Sequence, residues 1–150
     1  MSFQKQSFNS SIFYAHHIGG KGGGCDFPLL PKFKDEIVNV IYDADDSSIE
    51  QIKESFNHRN VIAKPYCIFE HDGTATFNMN HCPYSSSLYK LNPESENYYH
   101  EGHDKLSDYV FNGSLKTIKT FDVETKKLDT LIKNNMVPSP DFLSMDVQGA

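Results

Sequence analysis

The stretch Ile37-Val38-Asn39-Val40-Ile41-Tyr42-Asp43 decides the fold prediction, because its first six residues form the clearest β-strand in the sequence. The run is almost continuous in β-branched and apolar residues, which is typical of a strand buried on both faces of a parallel sheet. It ends in an acid. A helix is then predicted from about residue 47 to 56, since the apolar residues there fall on one stripe.

A glycine cluster precedes this strand. Residues 11–18 are short, apolar and aromatic, as expected for a first strand, and five of the next six residues, 19–24, are glycine. Glycine tolerates positive φ and lets a ligand approach the backbone closely. One interpretation of the cluster is a turn that wraps a ligand. The alternative is a flexible surface loop, and the glycines alone favour neither interpretation.

The rest of the chain continues the alternation of strands and helices. In chain order we predict a third strand at 61–69, an antiparallel strand at 74–79, mainly loop at 80–113, an extended segment at 117–123, a helix carrying Leu128, Leu131, Ile132 and Met136, and a final strand at 141–147. This order indicates an α/β fold with a mostly parallel sheet. In such sheets the ligand lies beyond the carboxyl ends of the strands.

Two acids stand at predicted strand ends. Asp43 follows the second strand, where a carboxylate can accept hydrogen bonds from the ribose hydroxyls of a nucleoside. The neighbouring Asp45 and Asp46 are also explained by the next helix, whose N-terminus favours negative charge. Asp146 closes the final strand and is placed to face a ligand, although capping of a following helix explains it equally well.

Composition excludes several classes of partner. The formal charge is −6 and the fourteen Lys and Arg residues are scattered, so we expect no nucleic-acid partner. No apolar run reaches the ~18 residues of a membrane span. The three cysteines form no CxxC pair and no disulfide framework, which favours a reducing, cytoplasmic location.

Two further features support alternative functions. His100 and His103 have a spacing that could bind a metal, but Gly102 lies between them and no third ligand is regularly spaced, so we expect no metal site. A tyrosine-rich loop suggests a carbohydrate-binding protein that stacks on sugar rings; its tyrosines are Tyr84, Tyr89, Tyr98 and Tyr99.

The end of the chain resembles a known family. Pro140-Asp141-Phe142-Leu143-Ser144-Met145-Asp146-Val147-Gln148-Gly149-Ala150 is similar to the hallmark of the FkbM-type methyltransferases, a Pro-Asp-Phe-Leu-Lys-x-Asp-Val-Gln-Gly-Ala run that is typically followed at once by Glu. Weaker but collinear similarities lie upstream, at residues 18–23, 42–45, 72–75, 85–89 and 127–131.

The resemblance implies a Rossmann-like methyltransferase fold, S-adenosylmethionine as cofactor, and O-methylation of a sugar or another small hydroxyl-bearing molecule. It implies catalysis at Asp146, which would face the reaction centre or the methionine end of the cofactor. It also implies cofactor contacts at Gly19, Gly20, Gly22 and Asp43, with Asp72 near the adenine.

The sequence departs from the family pattern in three respects. His17 stands where the family has an acid, Ser144 stands where Lys is common, and the expected Glu is absent after Ala150. We expect residues 1–10 to form a loose leader. Because the family pattern stops at Ala150, we expect residues 11–150 to form a partial domain that is truncated after strand four and catalytically silent alone. We also expect this domain to self-associate through its exposed sheet edge. The alternative is a non-catalytic fragment or binding module that keeps the cofactor-side half-fold.

Overall fold

The computed structural model describes residues 12–20, 35–55, 60–92 and 115–147. The predicted leader at 1–10 lies outside these ranges. The chain divides into two compact units. The first comprises Met1–Thr74 with Val123–Asp146, and the second comprises Ala75–Asp122 with Val147–Ala150.

The described elements alternate between strands and helices. In chain order they are β1 (Phe13–Ile18), β2 (Ile37–Tyr42), α1 (Ser48–Ser55), β3 (Val61–Lys64), β4 (Cys67–Ile68), β5 (Gly73–Asn80), a 3-10 turn (Pro83–Ser85), β6 (Thr117–Lys126), α2 (Leu128–Lys133) and β7 (Phe142–Met145). The predicted α/β class is therefore confirmed.

The first unit is built on a four-stranded sheet in the order β3-β2-β1-β7. β1 pairs in parallel with β2 and with β7, and β2 pairs in parallel with β3. This arrangement reproduces the third-second-first-fourth order of the first strands in a doubly wound sheet. The mostly parallel sheet is confirmed, and its order is consistent with a Rossmann-like methyltransferase fold.

Helix α1 covers one face of the sheet. Ile49 and Ile52 lie on its buried side and pack with Ile41 of β2, while Val61 and Ala63 of β3 border this cluster. Complete burial of each such side chain stabilises the fold by ~1.5–3 kcal/mol. Because α1 follows β2 after a short turn, this packing fixes the position of the connecting segment.

Two predicted elements differ from the structure. The third strand, predicted at 61–69, divides into β3 and β4, which belong to different sheets. Pro65 lies at the break, where its missing N–H ends the ladder. The second helix ends at Lys133, before the predicted Met136, because Asn135 adopts φ +54° and the Met136 N–H bonds back to the Leu131 carbonyl.

In the second unit, asparagine side chains hold the segment after β5. Asn78 is buried and donates to the carbonyls of Ser87 and Leu88. Asn80 is buried and donates to the carbonyl of Ser85. These side-chain bonds add to the backbone pairing of Asn78 with Ser87, and they fix the backbone of a part of the predicted loop.

Within the described ranges, none of the helices has the length and apolar character that crossing a membrane requires.

Candidate functional site

The parallel sheet brings three predicted site residues to one edge. Ile18 lies beside Tyr42 in the β1–β2 register and beside Met145 in the β1–β7 register. Gly19, Asp43 and Asp146 follow these three residues directly, so all three emerge at the carboxyl ends of adjacent strands. The strand order reverses at β1, and this switch point is where doubly wound sheets bind ligands.

Gly19 and Gly20 form a tight turn at the end of β1. The N–H groups of both residues donate to the Tyr42 carbonyl, at 3.0 and 3.1 Å. Gly19 has φ +92°, a conformation that side-chain-bearing residues rarely adopt. Gly22, the third predicted glycine contact, lies outside the described residues.

Gly20 is required by packing. A Cβ atom at this position would collide with Cγ2 of Ile41 and would lie 3.1 Å from Cδ1 of Ile52. The backbone at Gly20 therefore lies directly against Ile41 and Ile52, two of the side chains through which β2 and α1 pack. Gly20 is thus an ordered part of the core, and the ligand-wrapping role of the cluster stays a prediction.

Asp43 is 7% exposed and belongs to an ordered turn. Its N–H donates to the Lys64 carbonyl at 3.2 Å, and its Oδ1 accepts the Asp45 N–H at 2.8 Å. The bond to Asp45 is a turn in which an aspartate side chain caps its own backbone. It fixes the orientation of the Asp43 carboxylate at the strand end.

Asp45 starts helix α1. Its Oδ1 accepts the N–H of Ser47 at 3.0 Å and the hydroxyl of Ser47 at 2.6 Å, and its carbonyl accepts the Ser48 N–H at 2.9 Å. Glu50 pairs with Lys53 on the surface of the helix. Asp45 therefore bonds to the residues at the start of α1, whereas Asp43 lies before the helix, at the end of β2, as the sequence predicted.

Cys67 lies within electrostatic reach of Asp43. Burial, and secondarily the negative charge of Asp43, raises the pKa of the Cys67 thiol to about 11. Because the thiolate is the reactive form of cysteine, Cys67 stays an unreactive thiol at neutral pH.

Asp146 lies at the end of β7 with its side chain exposed. Its N–H donates to the Ile18 carbonyl at 3.0 Å, which extends the pairing with β1 past the strand. The backbone of Asp146 is thereby held beside the end of β1. Its predicted catalytic role stays a prediction.

His17 is 6% exposed and lies near Asp146. Its Nε2 lies 3.0 Å from the Gly19 carbonyl. Burial lowers the pKa of His17, while the bond to Gly19 and the negative charge of Asp146 oppose that shift. Position 17, where the family has an acid, is therefore occupied by an imidazole that is neutral at pH 7.

Asp72 lies elsewhere in the first unit, at the start of α2. Its Oδ1 accepts the Lys127 N–H at 2.7 Å, and its Oδ2 accepts the Thr130 hydroxyl at 2.8 Å. These bonds, in that order, account for most of the lowering of the Asp72 pKa. The carboxylate acts as a helix cap supplied from outside the helix, and its assignment to the adenine stays a prediction.

Sequence reasoning missed a buried polar pair beneath the site. His16 is fully buried, and its Nδ1 lies 3.0 Å from the hydroxyl of Tyr42. The signal was present, since His16 alternates with His17 along a buried strand and must therefore face the opposite side of the sheet.

The described residues hold no cluster of three or more His, Cys, Asp or Glu side chains suited to a metal ion. His100 and His103 lie outside the described residues. Of the tyrosine-rich segment, Tyr84 is 65% exposed and Tyr89 is 55% exposed, while Tyr98 and Tyr99 also lie outside.

The described elements form an α/β domain whose sheet order is consistent with the Rossmann-like class. Comparison with known families gives the particular member of that class. The methyltransferase FkbM domain matches residues 35–150, and the chain belongs to this family. The match begins after the glycine cluster, so it does not cover residues 18–23. The similarity of these residues to the family rests on their sequence alone. No curated protein and no solved structure matches the chain.

Proposed function

We propose that the protein is a methyltransferase that binds S-adenosylmethionine at the carboxyl ends of β1, β2 and β7. The observation that carries the proposal is the joint placement of Gly19, Gly20 and Asp43 at the switch point of a parallel sheet. The glycine turn lets a ligand approach the backbone, and Asp43 supplies a fixed carboxylate for ribose hydroxyls. Family membership supports methyl transfer as the reaction.

The acceptor is proposed to be a sugar or another small molecule with a hydroxyl group. S-adenosylmethionine supplies an activated methyl group when bound. The protein then has to orient the acceptor oxygen, exclude water and accept the hydroxyl proton. Asp146, exposed beside the end of β1, is the described carboxylate that we assign to the reaction side of the site.

Thermal unfolding with added ligands tests the cofactor. A ligand that binds the native state stabilises it in proportion to RT ln(1 + [L]/Kd). We expect S-adenosylmethionine and its demethylated product, S-adenosylhomocysteine, to raise Tm, and ATP at the same concentration to leave it unchanged. Absence of a shift with both sulfur compounds would contradict the proposal. Mass spectrometry of neutral sugars after incubation with S-adenosylmethionine tests the acceptor by the gain of a methyl group.

Carbohydrate binding without catalysis is a second candidate function, favoured by the solvent exposure of Tyr84 and Tyr89. Asn78 and Asn80 fix the backbone of this segment, and no Asp, Glu, Lys or Arg occurs from Asn78 to Tyr89. Exposed tyrosine rings on a fixed backbone suit stacking on neutral sugars. Titration of a neutral oligosaccharide should show binding that Tyr84→Ala weakens, and unchanged binding in Tyr84→Ala would reject this candidate.

A further inference from the structure

The side chain of His17 occupies an interior position next to the proposed cofactor site. It lies between Ile41 of β2 and Ser144 of β7 in the sheet register and is 6% exposed. The residue after next is Gly19, where the chain leaves the sheet in a left-handed conformation. His17 is thus the last inward-facing side chain on this face of β1 before the turn.

The bond to Gly19 fixes the tautomer of His17. A carbonyl oxygen can only accept, so the Nε2 atom, 3.0 Å away, must carry the hydrogen and donate it. In the neutral ring Nδ1 is then an unprotonated acceptor. Nδ1 is buried and has no hydrogen-bond partner among the described residues.

The hydrogen bond from His17 holds the glycine turn in addition to the bond that Gly19 makes with Tyr42. The Tyr42 carbonyl accepts the Gly19 N–H, and His17 donates to the Gly19 carbonyl. An ionised carboxylate at position 17 has no hydrogen to donate and would repel that carbonyl. The imidazole therefore fixes the turn in a way that an acid at this position cannot.

Among the residues that the structure describes, Asp146 at the end of β7 is the charged side chain that acts on the pKa of His17. Ile41 and Ser144 on the flanking strands are uncharged. On α1, which packs on this face of the sheet, Glu50 is engaged by Lys53 at the surface. A proton on His17 would consequently add a positive charge at the end of β1 that Asp146 offsets only in part.

We propose that His17 is a positioning residue of the cofactor site, which holds the Gly19 carbonyl through Nε2–H and, by staying uncharged, admits a cationic ligand. This inference rests on the proposed function, because the proposed function identifies the ligand as S-adenosylmethionine. That cofactor carries a positive sulfonium, whereas S-adenosylhomocysteine has a neutral sulfur. The two ligands therefore form a matched pair that differs by one methyl group and one charge.

The ratio of the affinities for these two ligands reports the charge at His17. Burial lowers the pKa of His17 from its ordinary value of 6.5, so the ring becomes protonated only in acid. We expect calorimetry to show that S-adenosylmethionine loses affinity relative to S-adenosylhomocysteine as the pH falls through the range in which nitrogen NMR shows the His17 ring taking up its second proton. A pH-independent ratio would overturn the inference and leave the proposed function standing.

His17→Gln is the matched variant, because a glutamine amide can donate to the Gly19 carbonyl but does not titrate. It should retain cofactor affinity near pH 8 and lose the pH dependence of the ratio. Every other ionisable group is the same in both proteins, so its contribution cancels. His17→Asp should weaken binding of both ligands, since it removes the donor. The same pH dependence in wild type and His17→Gln would contradict the proposal.

The tautomer is testable in the wild-type protein without any ligand. Nitrogen NMR shifts of the His17 ring should show a protonated Nε2 and an unprotonated Nδ1 at neutral pH. The opposite tautomer would overturn the positioning role even if every variant failed to fold. Failure of both ligands to bind at any pH tested would contradict the proposed function and the charge selection together, while the tautomer would still decide the positioning role.

Discussion

The hydroxyl of Tyr42 lies 3.0 Å from Nδ1 of His16 in the interior of the sheet. His16 is fully buried, and within the part of the chain that the structure describes its Nε2 has no hydrogen-bond partner. Burial lowers the pKa of His16 to about 4, against a smaller opposing effect of Asp141. The same loss of water raises the pKa of Tyr42. Both groups are therefore uncharged at neutral pH.

This pair predicts acid-sensitive stability. Because the unfolded state binds a proton at His16 below about pH 6.5 and the folded state binds it only below about pH 4, stability is fully present above 6.5 and is lost as pH falls through that window. The loss amounts to at most about 3 kcal/mol. Urea unfolding at several pH values measures it, and His17 adds a contribution of the same sign.

The matched controls are His16→Phe and His71→Gln. His16→Phe removes the titrating group and should flatten part of the pH dependence, whereas His71→Gln removes a histidine whose side chain is exposed and lies outside the buried pair. An equal pH dependence in His16→Phe and wild type would show that His16 is not the responsible group.

Much of the sheet was predictable because its strands are locally encoded. β2 has the predicted bounds, Ile37 to Tyr42, since an unbroken β-branched run has few alternatives. The division of the third strand at Pro65 was a missed local signal. Pairing partners were harder to predict, because the meeting of His16 and Tyr42 depends on the register between two strands that are distant in sequence.

The candidate site was predictable to a similar degree. The sequence alone predicted that Gly19, Asp43 and Asp146 follow strands, and parallel topology brings them to one edge. The role of Asp72 as a cap for α2 was not predictable, because a side chain that is distant in sequence replaces the usual capping residue. Lys127, which occupies the N-cap position, makes no side-chain cap of its own.

Replacement of Asp72 should destabilise α2. Asp72→Ala removes the acceptor for the Lys127 N–H and for the Thr130 hydroxyl, so we expect a lower Tm. A double-mutant cycle with Thr130→Val, followed by thermal unfolding, should show coupling between the two residues. Unchanged cofactor affinity in Asp72→Ala would reject its proposed contact with adenine, and an unchanged Tm would reject the cap.

A methyl group at Gly20 should disrupt the packing of β2 and α1. Gly20→Ala places Cβ against Cγ2 of Ile41, and overpacking of this kind costs ~1–3 kcal/mol. The double variant Gly20→Ala, Ile41→Ala removes that atom and should lose less stability than the sum of the two single losses. Strictly additive losses in denaturant unfolding would contradict this account of the contact.

Self-association through β7 is a further prediction. Leu143 is 42% exposed and Met145 is 58% exposed, on a strand that pairs with β1 among the described residues. Exposed apolar side chains on the last strand of the described sheet favour pairing with a second copy. Met145→Lys should lower the mean mass measured by light scattering, while Ile118→Lys, at another exposed apolar position, should not. Equal masses for Met145→Lys and wild type would reject this interface.

Calorimetric titration of S-adenosylmethionine into wild type, Asp43→Asn and Asp46→Asn tests the central claim most directly. The asparagine at position 43 can still accept the Asp45 N–H, so the turn is retained while the charge is lost. Charge-assisted hydrogen bonds contribute ~1.5–3 kcal/mol each, and we expect Asp43→Asn to bind at least about tenfold more weakly. Asp46 is exposed and its variant should match wild type. Absence of binding to wild type at millimolar ligand, or equal affinity in Asp43→Asn, would contradict the account.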